Sequence, residues 1–106
     1  MAMTPEKKVK DAVVKVLKQH GVYHFFPVTG GFGRSGIPDI VCCYKGNFLA
    51  IECKAGKNTT TALQNAEIAK INTAGGVALV VSEKNIDDVA KLLDTITYMR
   101  ELAERN

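Results

Sequence analysis

Apolar residues recur along this chain with two different periods, and the switches between them predict its elements. From Pro5 to His20, Val9, Ala12, Val13, Val16 and Leu17 fall at three- and four-residue steps, which makes one helical stripe. Thr4 suits the N-cap, Pro5 the first helical position, and Gly21 the stop. A short strand is expected over about Val22 to Pro27, followed by a glycine-rich loop from Thr29 to Gly36. Asp39 to Tyr44 and Asn47 to Lys54 then alternate with period two around Lys45-Gly46-Asn47, which is turn chemistry and predicts a β-hairpin. Gly56 to Thr60 reads as a polar loop, and Thr61 to Ala74 as a second helix closed by Gly75-Gly76. Val77 to Val81 is wholly apolar and is expected to be a central strand. A last helix begins after Asn85, turns Ile86, Val89, Ala90, Leu93 and Ile96 inward, and extends to about Glu104. The order predicts an α/β fold with a sheet flanked by helices.

Composition narrows the picture only slightly. The chain has 106 residues, 46% hydrophobic and 24% charged, which suits one globular domain over 1–106. A net charge of +3 permits nucleic acid as a partner without requiring it. No apolar run approaches the roughly 18 residues of a membrane span, and the first ten residues have no apolar signal region. Cys42, Cys43 and Cys53 are odd in number, lack C-x-x-C spacing and sit in apolar segments, so reduced thiols and a cytoplasmic location are expected.

The hairpin carries the candidate chemistry. With Gly46 and Asn47 as turn residues, Val41 stands opposite Glu52 and Asp39 opposite Lys54. Asp39, Val41, Glu52 and Lys54 then share one face, while Ile40, Cys42, Tyr44, Leu49, Ile51 and Cys53 share an apolar one. Asp39 and Glu52 become diagonal neighbours, about 7–8 Å apart at the backbone, so their carboxylates can converge on one hard cation, Mg²⁺ or Mn²⁺. The backbone carbonyl of Cys53 is the expected third protein ligand. Lys54 would hold the attacking water or neutralise charge on a phosphate. The alternative is that Glu52 and Lys54 form a solvated strand face. Glu6 falls at the inward edge of the first helix and is a candidate further metal ligand, or else a first-turn acid stabilised by the helix dipole. Gln64 would orient Lys54 or water, or be exposed.

Gly31-Phe32-Gly33-Arg34-Ser35-Gly36 matches G-x-G-x-x-G, but Pro38 and a strand follow where the dinucleotide motif needs a helix. A loop over the site fits better, with Arg34 contacting backbone phosphate, the alternative for the rest of the loop being a plain connector; Lys57 with Asn58 and Thr59 are further phosphate contacts or else a solvated loop. His20 and His24 have no partner that makes either a base or a ligand, and both are expected to be structural.

Together Glu6, Gly36-Ile37-Pro38-Asp39, Glu52-Cys53-Lys54 and Gln64 resemble the PD-(D/E)xK nuclease superfamily. Within it they are most similar to the VRR-NUC domain in its short stand-alone form from phages and bacteria. The likeness runs from the first helix to the strand at Val77–Val81. It implies a restriction-endonuclease-like core, a mixed β-sheet flanked by helices. It also implies Asp39 and Glu52 as metal ligands with the Cys53 carbonyl, Lys54 as the catalytic lysine, and Glu6 and Gln64 as accessory residues. Cys53 stands where the family usually has an aliphatic residue. Stand-alone members resemble Holliday-junction resolvases, which implies branched DNA as substrate and a homodimer with two sites. A bacterial or phage origin follows from the same likeness.

The resulting expectation is a Mg²⁺- or Mn²⁺-dependent endonuclease that hydrolyses phosphodiesters in branched DNA and leaves 5′-phosphate ends. The competing readings are a non-catalytic DNA-binding module of the same fold and a duplex-cutting restriction-type nuclease.

Overall fold

The computed structural model describes residues 3–28 and 35–105. Its elements are α1 (Pro5–Gln19), β1 (Tyr23–Phe25), β2 (Ile40–Tyr44), β3 (Asn47–Cys53), α2 (Ala62–Thr73), β4 (Val77–Val81) and α3 (Asp87–Glu104). The strands form one mixed sheet in the order β1-β2-β3-β4, with β1, β2 and β3 antiparallel and β4 parallel to β3. This is the α/β fold, a mixed sheet flanked by helices, that the sequence predicts.

The apolar periods place the layers. Val9, Val13 and Leu17 of α1 and Val89, Leu93 and Ile96 of α3 meet Ile40, Cys42, Leu49, Ile51, Cys53 and Val81 on one sheet face in a single buried cluster. α2 contributes nothing to that cluster and lies on the opposite face. There the Ile71 and Phe48 side chains close around Gly76, where a Cβ would meet each of them at 3.0 Å or less. The Thr4 hydroxyl accepts from the Lys7 amide at 3.2 Å and caps α1, as its sequence position suggests. His20 and His24 donate from Nδ1 to the Val16 and Val22 carbonyls, both at 3.0 Å, which are structural roles.

Two expectations change. First, the hairpin turns one residue earlier. Lys45 and Gly46 are its central residues, with φ of 47° and 83°, the left-handed pair that a two-residue turn of type I′ needs. Tyr44 therefore pairs with Asn47, Cys42 with Leu49 and Ile40 with Ile51. The cause is partly tertiary, because Arg100 of α3 donates to the Lys45 carbonyl at 2.9 Å and the Tyr44 hydroxyl bonds Thr97 Oγ1 at 2.9 Å. The slip moves each residue two places along its partner, so both faces keep their members.

Second, β4 is an edge strand rather than a central one. Its edge is blocked by side chains. Asn72 Oδ1 accepts from the Ala78 amide at 3.1 Å, and Asn85 Nδ2 donates to the Val80 carbonyl at 3.1 Å. One face of the strand meets the core through Val77, Leu79 and Val81, while Val80 on the other is 40% exposed.

Candidate active site at the end of the hairpin

The last ladder pair of the hairpin, Ile40 with Ile51, leaves Asp39 and Glu52 as the next opposed residues. They are thus direct cross-strand neighbours, not the diagonal pair expected from a turn at Gly46-Asn47. Beyond that last pair the Cys53 amide has no partner on β2, and Asp39 Oδ2 accepts from it at 2.8 Å. This bond fixes Asp39 at the sheet end, beside the Glu52 carboxyl.

Glu52 is only 3% exposed, on the sheet face opposite the main core. Its carboxyl is raised to about 8, first by burial, then by a hydrogen bond and charge repulsion from Asp39, with Lys54 opposing. The contact with Asp39 therefore favours the protonated form of the Glu52 carboxyl. Lys54, half-buried, lies two residues on and on the Glu52 face, its amide tied to the Val81 carbonyl at 2.9 Å. Burial pushes the Cys53 thiol up to about 12, so it is an inert neutral group in the core, and only its backbone adjoins the site.

Two clefts flank this centre. One, of about 490 Å³, runs along α1 and is lined by Glu6, Lys7, Lys10, Phe26, Asp39 and Cys53 among others. The second is lined by Lys54, Asn58, Thr59, Thr60, Lys84 and Asn85. The sequence reading missed Lys10 and Lys84. Lys10 holds its ammonium 4.3 Å above the Phe26 ring at the first cleft. Its signal in the sequence was its position one helical turn after Glu6, on the cleft side of α1.

The remaining expected residues are placed differently. Glu6 is exposed at the mouth of the first cleft, not turned into the core, because the buried stripe of α1 begins at Val9. Among the described residues no three of His, Cys, Asp and Glu gather as a metal cluster, while Glu6 lines the same cleft as Asp39. Gln64 caps α2. Its amide oxygen accepts from the Thr61 amide at 2.9 Å, while its own amide donates to Thr61 Oγ1 at 3.2 Å, a reciprocal capping box. Glu67, 4% exposed and three residues after Gln64, is a second buried acid that periodicity could not single out. Lys57 is exposed on the loop beside the second cleft. Arg34 lies outside the described residues.

Gly36 explains how the Pro38-Asp39 segment reaches this position. It has φ of 85°, and a Cβ there would stand 2.5 Å from the Leu63 backbone and 2.9 Å from the Gln64 amide nitrogen. Only glycine lets the chain pass so close to the start of α2.

Comparison with known proteins bears on the fold and the family. The family model described as archaeal Holliday junction resolvase (Hjc) matches residues 7–99, and the chain belongs to that family. The match spans Asp39, Glu52, Lys54 and Gln64 and begins one residue after Glu6. A solved chain described as a VRR-NUC domain superposes with a TM-score of 0.70 at 21% identity, covering 84% of this chain and 97% of that one, which establishes the shared fold. No curated protein matches the sequence.

Proposed function

We propose that this chain is a single-domain, divalent-metal-dependent endonuclease that cuts branched DNA as a homodimer in the cytoplasm. The observation that carries the reading is the opposition of Asp39 and Glu52 at the sheet end, with Lys54 on the Glu52 face. Membership of a junction-resolvase family supports DNA junctions as the substrate.

The donor set suits a hard cation. Glu52 is buried against Asp39 and repelled by its charge, and a divalent ion between the two carboxyl groups would relieve that repulsion. Asp39 and Glu52 would hold Mg²⁺ or Mn²⁺, with the Cys53 carbonyl as a third ligand and Glu6 reaching the ion from the cleft mouth. Such an ion supplies an activated water and draws charge from the phosphate. Lys54 would donate to a phosphate oxygen and stabilise the charge that grows there. The bond broken is the one from phosphorus to the 3′ oxygen, leaving a 5′-phosphate. Lys54, Lys57 and Lys84 on one side, and Lys10 on the other, offer cations to the phosphates flanking the cut. Arg34 and Gln64 are further candidates, for phosphate contact and for orienting Lys54.

The test incubates a four-way junction, a flap and plain duplex with Mg²⁺ or Mn²⁺, using wild type, Asp39→Ala and Lys54→Ala. Wild type should nick the junction and both variants should be silent. Cleavage that survives both substitutions would remove the site from consideration. Junction binding without nicking in either metal would favour the non-catalytic module, and equal cutting of plain duplex the restriction-type enzyme.

A further inference from the structure

We propose that a second copy of this chain docks on the β1–β2 half of the sheet face that α2 leaves open. This rests on the two-site reading above and assigns it a surface. The register puts Tyr23, Cys43 and Phe48 in one row across β1, β2 and β3, and Phe25, Val41 and Ala50 in the next. Tyr23 is 69% exposed, Phe25 and Phe48 are each 48% exposed, and Cys43 is exposed beside them. The Tyr23 and Phe25 rings lean on each other with centroids 6.4 Å apart.

Three observations choose the occupant. Neither row carries a charged side chain. A DNA backbone would find no cation there, whereas a two-fold axis sets the face against itself, and an uncharged face meets its own copy without repulsion. The area also fits. At about 150–250 Å² per aromatic side chain, the three rings offer roughly 330 Å² of open apolar surface. That suits the apolar centre of a patch of about 800 Å² per partner. Finally, pairing through the β4 edge is blocked by Asn72 and Asn85, and β1 offers an edge of only three residues.

The location bears on function. Asp39 is two residues from Val41 on the same face, so the seam begins about 7 Å along the strand from the Asp39 backbone. Docking there would bring the two metal sites to either side of one seam.

Sedimentation of wild type and of Tyr23→Glu/Phe25→Glu tests this, together with maleimide labelling of Cys43, whose neighbours Cys42 and Cys53 are buried. Wild type should sediment as a dimer, with Cys43 protected at high concentration and reactive on dilution. The variant should be a monomer with Cys43 open throughout. A variant that misfolds does not spoil the test, because the concentration dependence of Cys43 protection is read on wild type alone. A dimer whose Cys43 stays open, or a well-folded variant that stays dimeric, would overturn this surface and leave the two-site reading standing. A wild type that is monomeric at every concentration would overturn both. Loss of single-strand binding by the variant without a change of mass would instead give the aromatic rows to nucleic acid bases.

Discussion

Glu52 occupies a position where an ordinary glutamate would not stay ionised. Its carboxyl titrates near 4.5 in an unfolded chain and is raised to about 8 here, by burial first and by Asp39 next. Between those values the folded chain keeps a proton that the unfolded chain has released. This group's contribution to stability is therefore full below pH 4.5 and is lost as pH rises through 8. Thermal melts in EDTA should show a midpoint that falls from pH 5 to 8.5, and Glu52→Gln should flatten that slope. Mg²⁺ should restore the wild-type midpoint most strongly at the alkaline end and do little for Glu52→Gln. Lys10 makes a separate prediction. If its ammonium over Phe26 meets a phosphate, Lys10→Ala should weaken junction binding and lower the slope of log K against log salt by about one. An unchanged slope would leave Lys10 as a cleft wall. The types Asp39, Glu52 and Lys54 were legible from the sequence because alternation fixes a face. Lys10 was not, since one lysine among several in a helix acquires meaning only from the cleft beside it.

At the scale of elements, helix stripes and strand alternation were readable because each depends on residues a few positions apart. The ends and the register were not. The hairpin slip shows why, since turns at Lys45-Gly46 and at Gly46-Asn47 preserve the same two faces. The contacts of Arg100 and Tyr44 with distant parts of the chain then hold the first. Gln64 shows the same limit, because a glutamine three residues after Thr61 fits either an accessory catalytic position or a capping box. Thr61→Ala should cost about 1 kcal/mol in urea unfolding. Gln64→Glu should preserve stability, since glutamate serves the same box, and Gln64→Ala should not. A loss of cleavage in Gln64→Glu at unchanged stability would give Gln64 a role in the reaction beyond the cap.

Across the whole molecule, one buried cluster between α1, α3 and the sheet supports a site built on the far end of that sheet. Leu93 is fully buried at its centre. Leu93→Ala should lower stability by about 2–5 kcal/mol, while leaving cleavage per folded molecule at 25 °C close to wild type. A stable variant with lost activity would show that the core couples to the site more tightly than its distance suggests.

The sequence by itself determined which residue types face together. A period of two or of 3.6 is a local property, and it separated Asp39, Glu52 and Lys54 from the apolar face without any long-range knowledge. Those residues also carried the resemblance to a nuclease family. Tertiary structure alone decided that Asp39 and Glu52 stand directly opposed, that Glu52 is dry enough to keep its proton, that Glu6 stays at the cleft mouth, and that β4 closes the sheet. Each of these depends on contacts between segments far apart in the chain, such as α3 on the hairpin turn, Asp39 beside Glu52 and Gly36 against the start of α2. No local pattern encodes the distance between such segments.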